Sequence, residues 1–305
     1  MSITVKILGS NAASFAYNRH HTCQVIEVNN KHFMIDCGEG TQIQAKKYNV
    51  KLSKINHIFI SHLHGDHYYG LIGLLSTMQL FGRKQTLSLI GPPGLSEIIT
   101  IQLKHSKTVF NFPIELNEWK EGVQELLVDL PKLTVKSIPM RHSIPCTGFL
   151  FEEKPNLRRI NKDCLNETLT PQEIKQLKSG NDVIYENGMI KYSIQKFTLP
   201  PRQHYSYAFC SDTKYDKELV KWIKGVNLLY HEATFMEEMK ERANLTYHTT
   251  AAQAGLIAAA AAVKKLIIGH FSARYKDLIP LLNEVRREFK NAHLALEGLT
   301  FKVNE

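Results

Sequence analysis

Residues 61–67 read Ser61-His62-Leu63-His64-Gly65-Asp66-His67, directly after the strand-like run 57–60. Four side chains with metal-ligating donors therefore fall within six residues. A strand sends alternate residues to opposite faces, and a helix spreads six consecutive residues around more than a full turn, so neither converges all four on one point. A loop that closes a strand and opens a helix can. There His62 and His64 face one cation, while Asp66 and His67, at the helix start, face another, and Gly65 permits the tight turn between the pairs. Imidazole and carboxylate donors suit Zn2+ first, with Mn2+ or Fe as alternatives.

The rest of the chain offers many such strand ends. Short apolar, β-rich runs recur at 4–8, 24–28, 33–35, 87–90, 134–138 and 148–151, and resume at 206–210, 228–230 and 266–268. Helical periodicity predicts helices over 39–48, 68–80, 94–103, 215–224, 249–263 and 276–289. Strand-rich stretches twice give way to strand–helix alternation, which fits two α/β halves around a pair of sheets. Residues 152–203 break the pattern with four prolines and few periodic apolar positions. Within them Thr170 and Pro171 predict a capped helix running to Lys178 and ended by Gly180. An insertion of this length in a compact domain reads either as a plain surface elaboration or as a protruding substrate arm.

Hydrophobic residues make up 43% of the 305 residues and charged residues 22%, which excludes disordered, collagen-like and coiled-coil chains. No stretch approaches the roughly 18 apolar residues of a membrane span. The first residues lack the charged and apolar regions of a secretory signal. Five cysteines without a CxxC pair suggest reduced thiols and a cytoplasmic location. The net charge of +9 hints at a polyanionic partner but is spread without a polybasic block.

Further motifs follow in order: Asp36-Cys37-Gly38-Glu39-Gly40-Thr41-Gln42, Arg141-His142-Ser143, Ser211-Asp212-Thr213, His231-Glu232-Ala233-Thr234, His248-Thr249-Thr250 and Gly269-His270-Phe271-Ser272. His142, Asp212 and His270 each follow a predicted strand, where open α/β sheets place their sites. With the motif at 61–67, this series resembles the ribonuclease Z family of tRNA 3′-processing endonucleases, in the metallo-β-lactamase superfamily, over nearly the whole chain. The resemblance departs at Gly9–Phe15, which lacks the family's usual proline, and in the insertion, which lacks its common Gly-Pro element.

The resemblance implies an αββα sandwich, two mixed sheets between helical layers, formed by residues 1–305 with a tRNA-binding arm inserted at 152–203. It implies two Zn2+ per subunit, one held by His62, His64 and His142, the other by Asp66, His67 and His270, with Asp212 bridging. Metals so bridged clamp a phosphodiester and activate the water between them. Asp66 would orient or deprotonate that water, His248 would protonate the leaving 3′ oxygen, and Glu232 would hold His248 in the required form. His231 is expected to be structural. Arg274, just past the last ligand, is a candidate phosphate contact. The implied activity is cleavage of precursor tRNA to a 3′-hydroxyl and a 5′-phosphorylated trailer, by a homodimer in which one subunit's arm grips the tRNA cut by the other. A small-molecule phosphodiesterase of the same fold would use the same ligands and is the alternative. A catalytically dead RNA-binding scaffold would be expected to have lost ligands that this chain keeps. His20, His21, His32, His57, His105, His204 and His293 lack ligand spacing and read as core or surface groups.

Overall fold

The computed structural model describes residues 3–164 and 169–304, so residues 165–168 of the 152–203 insertion lie outside the described residues. The chain divides into two compact units, residues 1–152 with 205–305, and residues 153–204.

Two seven-stranded sheets make up the larger unit. The first runs in the order Thr300–Lys302, Ile3–Gly9, Cys23–Val28, Lys31–Ile35, Ile55–Phe59, Leu87–Gly91, Ile114–Glu118. Its pairings are antiparallel up to Lys31–Ile35 and parallel beyond it. The second runs Ala292–Leu294, Lys265–Gly269, Leu228–Glu232, Ser206–Cys210, Thr147–Glu153, Leu133–Pro139, Leu126–Leu130. Both sheets are mixed.

Strand alternation explains the layers. In Lys31–Ile35, Phe33 and Ile35 enter the core between the sheets, while Met34 packs outward among Ala45, Leu74 and Ile99 of the helices. In Ser206–Cys210, Tyr207 and Phe209 face the inter-sheet core and Ala208 and Cys210 face Ala254, Ile257 and Val285. Because both faces of these strands are covered, they read as continuous apolar runs rather than alternating ones. Aromatic rings fill the middle layer, with Phe59 5.1 Å from Phe149 and Phe33 5.5 Å from Phe151 between ring centroids. The result is the αββα sandwich expected.

The smaller unit has its own core of Leu169, Leu177, Val183 and Tyr192. Its helix, Pro171–Lys178, begins at a capping box in which Thr170 accepts from the Glu173 N–H and the Glu173 side chain accepts from the Thr170 N–H. Gly180, at φ +92°, follows the helix end.

Three departures from the predicted elements have physical causes. The single helix predicted over 68–80 is two, Gly65–Tyr68 and Leu71–Leu80. The break lies at Gly70, whose N–H donates to Cys37 O, and where a Cβ would stand 2.1 Å from Gly38 O. Strand Ile114–Glu118 is mostly exposed and so carries no apolar alternation. Thr300–Lys302 is too short to signal itself and exists by pairing with Ile3–Gly9.

Candidate metal centre

Every donor of the centre stands at or just beyond the C-terminal end of a strand. Asp36 follows Lys31–Ile35, the 61–67 loop follows Ile55–Phe59, His142 follows Leu133–Pro139, Asp212 follows Ser206–Cys210 and His270 follows Lys265–Gly269. Asp36, Asp212 and His270 adopt φ of +58°, +57° and +57°. This left-handed backbone is uncommon outside glycine and lets the chain turn sharply where the strand stops.

Donor atoms gather in groups. His62, His64, His142 and Asp212 form one, and Asp66, His67 and His270 another, with donor atoms within 4.8 Å of each other in each; Asp212, His248 and His270 form a third set that shares a member with both. His64 Nδ1 lies 3.1 Å from both His62 Nε2 and His142 Nε2, and His67 Nε2 lies 3.3 Å from His270 Nε2. Asp212 stands between the groups. Its Oδ2 is 3.6 Å from His62 Nε2 and 3.7 Å from His142 Nε2, while Oδ1 is 3.2 Å from His67 Nε2 and 3.1 Å from His270 Nε2. Asp66 Oδ2 completes the second group at 3.6 Å from His67 and 3.5 Å from His270, and it accepts from the Ala13 N–H at 2.7 Å.

Outer partners decide which nitrogen each ring presents. His67 Nδ1 donates to Asp36 Oδ2 at 2.6 Å, and His142 Nδ1 to Tyr247 O at 3.1 Å. The Thr234 hydroxyl donates to Glu232 at 2.5 Å, so it accepts from His270 Nδ1 at 2.9 Å. Ser61 Oγ likewise donates to Asp36 at 2.9 Å and accepts from His62 Nδ1 at 3.0 Å. These four rings thus turn Nε2 inward, the pattern of metal-ligating histidines. Lone pairs facing one another this closely repel unless a cation stands between them. Donors about 2.0–2.1 Å from a tetrahedral zinc lie about 3.3 Å apart, so the donor set fits such an ion.

Electrostatics agree. Burial pushes His62, His64 and His142 below the usual imidazole range, which favours the neutral, ligating form. Burial opposes charge on His67 too, yet Asp212, Asp66 and Asp36 hold it well above that range. The second group thus calls for positive charge. Replacing Asp36 with Ala removes the acceptor for both His67 and Ser61, and metal affinity should fall about 10- to 100-fold, measured by chelator competition.

Glu232, fully buried, accepts from the Thr213 N–H at 2.7 Å and the Thr249 N–H at 3.1 Å. Each of its oxygens also lies 3.1 Å from His248 Nδ1. Burial works against a charged His248, but Glu232, with Asp212 and Asp66, outweighs it and lifts the imidazole to about 9. His231 is buried with Nδ1 donating to Glu232 O at 2.8 Å, outside the donor groups. The centre opens into a cleft of about 740 Å³ lined by Asp66, Tyr69, Asp212, His248, His270 and Arg274 among others.

Residues 3–157, just over half of the chain, match the family described as Anti-Pycsar protein Apyc1. A ribonuclease Z of Cytophaga hutchinsonii is 48% identical over 305 residues, covering 100% of this chain and 97% of the relative. The chain belongs to the ribonuclease Z family. A ribonuclease Z of Bacteroides thetaiotaomicron is 43% identical over 98% of this chain and 94% of its own length. The Apyc1 match holds the 61–67 loop and His142 but ends before Asp212 and His270, whereas these ribonuclease Z relatives span both donor groups. In fold, the chain is similar to the crystal structure of human tRNase Z, short form, with a TM-score of 0.72 at 24% identity, covering 98% of this chain and 99% of that one. It is similar as well to the metallo-β-lactamase fold protein YhfI of Bacillus subtilis, with a TM-score of 0.70 at 14% identity, covering 99% of each chain.

All seven donors that the resemblance to ribonuclease Z singled out lie together in the structure, with His248 and Glu232 beside them. Arg274 lines the cleft. Among the other histidines, His21 also reaches the cleft wall, without joining a donor group. The outer partners were missed. Asp36 stood in a matched motif at a strand end, the same signal that marked Asp212, while Tyr247 acts through its backbone carbonyl and leaves no trace in side-chain identity.

Proposed function

We propose that the protein is an endoribonuclease that processes precursor tRNA at its 3′ side, leaving a 3′-hydroxyl on the tRNA and a 5′-phosphate on the trailer. Two divalent cations, zinc by preference, serve the reaction. The observation that carries this reading is Asp212, which turns one carboxylate oxygen to each set of imidazoles. His62, His64 and His142 would hold one ion, and Asp66, His67 and His270 the other. Membership in the ribonuclease Z family supports phosphodiester hydrolysis of RNA.

Bound cations supply Lewis acidity at the phosphodiester and lower the pKa of a water held between them. The chain's own groups do the rest. Asp66, fixed by the Ala13 N–H, orients the attacking water or takes its proton. Glu232 keeps His248 Nδ1 protonated, which leaves Nε2 to give a proton to the departing 3′ oxygen. Changing His248 to Ala should lower kcat about 10²- to 10⁴-fold with metal content intact, checked by single-turnover cleavage and metal analysis.

The unit at 153–204 is the tRNA-gripping arm in this reading, with Lys175 and Lys178 on its helix as phosphate contacts. Paired RNA offers little base readout, so shape and backbone set the fidelity. The working form is a homodimer, with the arm of one copy serving the centre of the other. The deciding experiment is cleavage of a precursor bearing a 3′ trailer. Zinc-loaded protein that leaves it intact while hydrolysing small diesters would sink the reading.

A further inference from the structure

Two arginines line the cleft, and they come from separate segments. Arg274 follows His270, while Arg242 lies on helix Lys240–Leu245. Arg242 is exposed, and no hydrogen bond or ion pair engages its guanidinium among the described residues. The carboxylates on the cleft wall do not satisfy it. Asp66 and Asp212 are committed to histidines, and Glu39, the third carboxylate there, forms no ion pair with it; Glu237, close by in sequence, is taken by Lys240 at 2.7 Å.

Its position is nonetheless well defined. Thr246 donates to Arg242 O through both its N–H and its hydroxyl, each at 2.9 Å, and the His248 N–H donates to Ala243 O at 2.8 Å. The carbonyl of the same peptide group as that N–H, Tyr247 O, accepts from His142 at 3.1 Å. The arginine is therefore carried on a segment tied directly to the centre, yet its charge is left open to the cleft. A diester with a single phosphate offers one anionic group, which the centre itself would engage, and no second one for Arg242. A polynucleotide presents a phosphate at every nucleotide, and the planar fork of arginine matches two phosphate oxygens at once.

We propose that Arg242 binds a phosphate of the RNA chain other than the scissile one, and with Arg274 makes the cleft select polynucleotides over single-phosphate diesters. This rests on the endoribonuclease reading above. The test compares wild type with Arg242→Gln and Arg242→Lys. Binding of a fluorescent precursor tRNA is titrated in EDTA at several salt concentrations, and kcat/KM of the zinc-loaded proteins is measured on that precursor and on bis(p-nitrophenyl) phosphate. In Arg242→Gln the slope of log K against log salt should flatten by about 0.7–0.9, the loss of one phosphate contact. The ratio of precursor to small-diester kcat/KM should fall about tenfold, roughly one charged hydrogen bond. Arg242→Lys should keep the wild-type slope, since it keeps the charge. Wild-type slope and ratio in Arg242→Gln, with wild type cutting the precursor, overturn this proposal alone. Wild type that neither binds nor cuts the precursor overturns the endoribonuclease reading, and this proposal with it.

Discussion

Changing Asp212 to Ala should cut the metal content from about two ions per chain to one or none, and lower precursor cleavage by more than about 100-fold. Loss of an outer partner alone costs about 10- to 100-fold, and Asp212 contacts both donor groups. The change leaves the inward Nε2 atoms of His62, His142, His67 and His270 without the anion they share. In the two-cation reading proposed above, each cation would then lose a ligand and the negative charge that offsets its neighbour's repulsion. Elemental analysis after gel filtration, with single-turnover rates, reads both effects. A variant that keeps full metal content and rate removes the bridging role.

Replacing residues 153–204 with a short Gly/Ser linker should lower precursor kcat/KM by roughly three orders of magnitude, as losing three charged hydrogen bonds of about 1.5 kcal/mol each would do. Hydrolysis of a chromogenic diester should persist. The segment has a core of its own, and all seven donors lie in the other unit, so its removal leaves the centre's contacts standing. Circular dichroism and metal content control for folding. If precursor cleavage survives undiminished, the segment is no tRNA clamp.

Legibility of the fold followed the range of the interactions. Helix Pro171–Lys178 was readable from Thr170, Pro171 and Gly180 because a capping box closes within four residues. The buried strands were readable as apolar runs because both of their faces are covered. Exposed Ile114–Glu118 and the three-residue Thr300–Lys302 were not, since each owes its conformation to a partner strand. At the centre, the loop at 61–67 announced itself because its donors are adjacent in the chain. His142, Asp212 and His270 stood out less as residues than as members of an ordered series of motifs, and Arg242 belonged to no motif at all.

By itself the sequence determined the kind of chemistry, through a crowd of imidazole and carboxylate donors at a strand-to-helix turn, and two α/β halves around a pair of sheets through its strand and helix runs, while the sandwich class came from the resemblance to ribonuclease Z. Only the tertiary structure decided how the donors share the work. His67 and His270 meet across 203 residues, Asp212 divides its oxygens between the two groups, and Asp36, Thr234 and Tyr247 O choose the nitrogen each ring turns inward. These are long-range hydrogen-bond relations, set when two sheets pack face to face with strands from both ending at the same cleft, and local pattern carries no information about them.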